Sequence, residues 1–129
     1  MNELDPENQD SMNILAVYLI VNGEFQMSSG KLASQTFQAC KRFLSALDDE
    51  NKELKKLIKE WEEHGTRTIT KFAPTKHLFD RCCQEIKGVT MIDEGLTEGT
   101  LGPTVHVTWP LRRGSLPRTL RHKKIRLYP

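Results

Sequence analysis

The stretch ILAVYLIV, residues 14–21, decides the fold. Its 8 residues are continuously apolar and rich in Ile and Val. Successive side chains of a strand point to opposite faces of a sheet, so an unbroken apolar run reads as a strand buried on both faces. Such a strand needs helices above and below it. The run is less than half the ~20 residues of a membrane-spanning helix, so no membrane association is expected.

The residues before it carry the opposite character. NELDPENQD (2–10) is acidic and polar, the wrong sign for the start of a secretion signal. Residues 1–12 are expected to be a disordered tail, and residues 13–129 a single cytoplasmic domain. A chain of 129 residues can bury a core without disulfides or metal. Cys40, Cys82 and Cys83 make a poor disulfide framework, and reduced, buried thiols are the expectation. His64, His77, His106 and His122 are scattered, which suggests no metal site.

Downstream, Asn22-Gly23 signals a turn, and GEFQMSSG forms a loop. From Lys31 the period changes. Leu32, Thr36, Cys40, Phe43, Leu44 and Leu47 trace a helical stripe that should end at DDEN. A second helix should start near Asn51, with Leu54, Leu57, Ile58 and Trp61 as its apolar face and Gly65 just past its end. RTITKFA (67–73) alternates and reads as a second strand. Thr75 can cap a third helix bearing Leu78, Phe79, Cys82, Cys83 and Ile86, closed by Gly88. VTMID (89–93) and TVHVTW (104–109) read as strands three and four, joined by the Gly-rich EGLTEGTLGP. Ser115 can cap a short last helix before IRLY. The order β-α-α-β-α-β-β-α predicts an α/β fold: a three-layer α/β/α arrangement around a four-stranded mixed sheet.

Ligands in open α/β sheets sit at the carboxyl ends of strands. Two segments should meet there: Gly30-Lys31, entering the first helix, and Asp93, ending strand three. A helix N-terminus carries partial positive charge, so Lys31 is an unexpected residue in its first turn. Either it is merely exposed, or the ammonium and the first-turn N–H groups hold an anion. Gln35 and Gln38 follow at i+4 and i+7 on the same face, bordering the core stripe. Asp93 can orient Lys31 or position a water. The charge distribution adds a partner class. No acid follows Glu98, while Arg112, Arg113, Arg118, Arg121, Lys123, Lys124 and Arg126 do. That stretch suits a phosphate backbone, or forms a solvated basic face.

Three segments carry a resemblance. GKLASQTFQA (30–39), LIKEWEEHGTRTITKFAP (57–74) and IDEGLTEGTLGPTVHVTWP (92–110) resemble the motifs of the type 2 peptidyl-tRNA hydrolase family, in order and over residues 14–128. That family shows G-K-[LVI]-A-[AS]-Q-x-x-H-A after the first strand and D-A-G-[LRK]-T before the last. The resemblance implies hydrolysis of the ester joining a peptide to the 3′ end of tRNA, with no cofactor or metal, on a four-stranded mixed sheet, often as a homodimer. It places catalytic roles on Lys31, Gln35, Asp93, Thr97 and Thr104, with Gly30, Gln38 and Gly95 lining the site. Lys41, Arg42, Arg112, Arg113, Arg121 and Lys123 are the candidates for the tRNA backbone.

The chain departs from the pattern in places. Gln38 stands where the motif has histidine, and Gln cannot shuttle a proton near neutral pH. Glu94 replaces an alanine, the stretch from Thr97 to Thr104 is one residue shorter, and strand four ends in VHVTWP. Two functions follow: a hydrolase acting on peptidyl-tRNA, or a weakened relative that binds tRNA or protein. The absence of a G-x-S-x-G elbow argues against a serine nucleophile.

Overall fold

A computed structural model describes residues 12–46, 51–93 and 102–129. The elements run β1 (Leu15–Asn22), α1 (Ser29–Ser45), α2 (Lys52–Glu63), β2 (Thr68–Ala73), α3 (Lys76–Glu85), β3 (Gly88–Asp93), β4 (Gly102–Thr108), β5 (Leu111–Arg112) and β6 (Arg126–Leu127). The sheet order is β3-β4-β1-β2-β6, and β5 pairs with the start of β1. β1 and β2 are parallel; every other pairing is antiparallel. The mixed sheet and its helical cover are as expected, but among the described residues it holds six strands rather than four. The two additional strands are two residues each, too short to leave a period in the sequence.

All of β1 is buried. Ala16, Tyr18 and Ile20 pack with α3 residues Leu78, Phe79 and Cys82 and with Leu120 and Ile125 of the C-terminal segment. Val17 and Leu19 pack on the opposite face with Ala39 and Phe43 of α1 and Leu54 and Ile58 of α2. The apolar run at 14–21 thus feeds two cores at once, which makes the molecule three-layered.

Three helices start with side-chain caps. Ser28, Asn51 and Thr75 accept from the N–H groups of Lys31, Leu54 and Leu78. α2 ends as expected, with Gly65 in the left-handed region at φ +92°. Gly88 does not close α3. It opens β3, where a Cβ would lie 2.1 Å from the Val107 carbonyl oxygen. Only glycine permits that approach. The expected last helix is also absent. Arg113–Ser115 and Thr119–Arg121 are single 3-10 turns, because Pro117 interrupts the segment and denies it a helix interior. Thr119 instead donates to Glu85 at the end of α3, and Tyr128 N–H donates to the Thr70 carbonyl. Of the expected tail at 1–12, residues 1–11 lie outside the described residues, and Met12 is exposed.

Candidate active site

Lys31 Nζ lies 2.9 Å from Asp93 Oδ2, and each side chain is only 8% exposed. The backbone explains the meeting. Ser28 caps α1 and so fixes its first turn at Lys31, which meets Asp93 at the carboxyl end of β3. In β3, Met91 faces the α1 layer, so period-two alternation turns Asp93 to that same face. A buried ammonium and carboxylate demand each other: either alone would carry a large desolvation penalty.

A β-bulge supplies the second half of the site. Met91 pairs with Val105 but Ile92 pairs with Pro103, so Thr104 is the extra residue on β4. Bulges re-aim side chains. Here the bulge lets Thr104 share the α1 side with Val105. Thr104 Oγ1 donates to Gln35 Oε1 at 2.6 Å and lies 3.3 Å from the Met91 carbonyl. Thr104 is fully buried and Gln35 is 4% exposed.

The buried residues of α1 are Gln35, Ala39 and Phe43; of the expected stripe Phe43 is buried, and Leu32 and Cys40 are half-buried against the same core. Gln35 was expected to border the core. It enters it because Thr104 satisfies its amide oxygen. Leu44, expected inside, is 55% exposed, and Leu47 lies outside the described residues. Gln38 is exposed on α1, and Gly30 is exposed with open space around its Cα.

Asn22 completes this edge, and sequence reading assigned it only to a turn. It is buried at the end of β1; its Nδ2 donates to the Pro103 carbonyl at 2.9 Å, and its Oδ1 accepts from Glu24 N–H at 3.0 Å. Asn22 thus ties β1 to the strand segment beside the bulge. The one signal for it was an amide closing an otherwise apolar run.

The chemistry available is narrow. The thiols are poor nucleophiles: burial pushes Cys82 up to about 12 and raises Cys40 and Cys83 as well. His106, on the opposite face of the sheet, lies 2.8 Å from the Ile86 carbonyl and from Thr90 Oγ1, and burial lowers its pKa. Among the described residues no cluster of three His, Cys, Asp or Glu can hold a metal ion. What stands at the strand edge is a buried ammonium–carboxylate pair beside a hydroxyl–amide pair.

The family model of peptidyl-tRNA hydrolase PTH2 matches residues 15–122. The chain belongs to that family. No curated protein matches it. The matched span includes every strand but β6, all three helices and both polar pairs.

Further positions were singled out for this PTH2-family chain. Gly95, Thr97 and Glu94 lie outside the described residues. Lys41 and Arg42 are exposed near the far end of α1. Arg112 pairs with Leu15, at the end of β1 opposite Asn22. There it makes a bidentate pair with Glu60, at 2.7 and 3.1 Å, and donates to the Asn13 carbonyl. Those bonds hold Glu60 below its ordinary pKa. Arg113, Arg121 and Lys123 are exposed. No described helix is long and apolar enough to cross a membrane.

Proposed function

We propose that this chain hydrolyses the ester between a peptide and the 3′ end of tRNA, as a cofactor-independent enzyme of the cytoplasm. The single observation that carries the reading is the buried Lys31–Asp93 pair beside Thr104–Gln35, in a chain of the peptidyl-tRNA hydrolase family. A core alone has no use for those four polar side chains at one strand edge.

The roles follow from the donors and acceptors. Lys31 has three N–H donors, one of which engages Asp93. The ammonium is assigned to the oxygen of the ester carbonyl as negative charge develops on it. Asp93 fixes the ammonium and accepts a proton from the attacking water. Water adds to the carbonyl carbon, and the tetrahedral intermediate then expels the 3′ ribose oxygen, which takes up a proton. Thr104, held by Gln35, orients the water through its remaining lone pair, and Thr97 is assigned to the same water. Gly30 and Gly95 leave room for the ester, and Gln38 lines its approach. Exposed Lys41, Arg42, Arg113, Arg121 and Lys123 carry tRNA phosphates, which makes binding salt-dependent. Arg112 is assigned to them with its Glu60 pair to be exchanged.

Incubating the chain with an N-blocked aminoacyl-tRNA tests the reading, with release of the blocked amino acid as the readout. Turnover that Lys31→Ala abolishes is the expected result. An absence of turnover by the wild-type chain would overturn it. The second reading, a tRNA-binding relative without turnover, is favoured by one observation: Gln38 stands where the family motif has histidine.

A further inference from the structure

The outer face of α1 carries a feature that the ester-cleaving site does not use. Phe37 is 73% exposed and Leu44 is 55% exposed. The two are i and i+7, so they share a face with Lys41 between them. Toward the helix start, that face continues as Ser34, Ala33 and Gly30, all small and exposed. A largely exposed phenylalanine on a helix whose opposite face is in the core is a solvation cost with no return in folding. Within the helix itself the charge is one-sided. α1 contains Lys31, Lys41 and Arg42 and not one carboxylate, whereas α2 mixes both signs. Among the described residues neither Lys41 nor Arg42 is in an ion pair.

An exposed aromatic ring among cations, without acids, is the chemistry that holds single-stranded nucleic acid. The ring stacks a base and the cations follow the backbone. A protein partner with an apolar patch would use Phe37 and Leu44 but gains nothing from a helix stripped of carboxylates. The position also fits. Phe37 is six residues along α1 from Lys31, a rise of about 9 Å. The exposed residues between, Gly30, Ala33 and Ser34, are small. We infer that Phe37 stacks an unpaired base near the 3′ end of the RNA, with Lys41 on an adjacent phosphate, so that the outer face of α1 guides the strand toward Lys31 and Asp93. The inference rests on the proposed function for its substrate. Its own content is a binding contact.

The test therefore reads binding and turnover separately. A fluorescent single-stranded RNA ending in CCA is titrated against wild type, Phe37→Ala and Phe37→Trp, with melting curves to verify folding. Phe37→Ala is expected to weaken binding about tenfold. Phe37→Trp should restore it, and its fluorescence should be quenched on stacking. Lys41→Ala should reduce the salt slope by about 0.7. In turnover, Phe37→Ala should raise KM and leave kcat unchanged. Failure of wild type to turn over removes the hydrolase reading and leaves the binding comparison intact. Equal RNA binding by wild type and Phe37→Ala overturns the inference. So does a Phe37→Ala change that converts a wild-type dimer to monomer with RNA affinity unchanged, which would make this face a contact between copies.

Discussion

Lys31 and Asp93 meet at 2.9 Å with both side chains almost wholly out of water. They stand far apart in the chain, in separate motifs. The cap at Ser28 and the alternation of β3 bring them together. A pair so placed is costly to break and gives a preorganised donor where charge develops.

Lys31→Met and Asp93→Asn each leave the other partner unpaired. Each is expected to destabilise the fold by about 3 kcal/mol and to reduce turnover at least about 100-fold. The double variant Lys31→Met/Asp93→Leu should be more stable than either single one, yet inactive. Denaturant melts together with the release assay check both. Additive stability losses would show that the pair is not coupled.

Thr104→Val keeps the shape at the bulge and deletes the hydroxyl. Gln35 Oε1 then loses its buried donor, at a cost of about 1–3 kcal/mol. Turnover should fall, and Thr104→Ser should restore both properties. A Val variant as stable and active as wild type would remove Thr104 and Gln35 from the site.

Gln38→His introduces a group that titrates near 6.5. The exposed position allows the imidazole its ordinary pKa. The variant is expected to gain turnover and a limb near pH 6.5 in kcat/KM that wild type lacks. An unchanged profile would mean that this position only lines the approach.

His106 gives stability a pH dependence with a definite sign. Burial lowers its folded pKa below the unfolded value of 6.5. The unfolded chain therefore binds more protons in the window just below 6.5, and stability falls as pH drops through it. The slope should approach about 1.4 kcal/mol per pH unit. Melts from pH 7.5 to 5 should show it, and His106→Gln should flatten it. Persistence of the slope in that variant would assign it elsewhere.

Sequence pattern made much of this fold legible. The run at 14–21, the stripe Leu54, Ile58 and Trp61, and the glycine after α2 all lie where periodicity and capping rules put them. The burial of Gln35 on α1 was not legible. A helix face is read by hydrophobicity, and Gln35 is buried because of one hydroxyl on another element. The C-terminal segment misled for a different reason. Two-residue strands and single 3-10 turns have no period, and their hydrogen bonds go to β1, β2 and α3.

By itself the sequence determined the layers, the family and the nomination of Lys31, Gln35, Asp93 and Thr104. Local pattern, capping and motif order are properties of neighbouring residues, and those survive in a string. Only the tertiary structure decided that Lys31 is spent on Asp93, that Gln35 turns inward, that Arg112 engages Glu60, and that Phe37 is left in water. Each of those depends on whether a polar group finds its partner across the fold. A bulge of one residue at Thr104 is enough to change the answer.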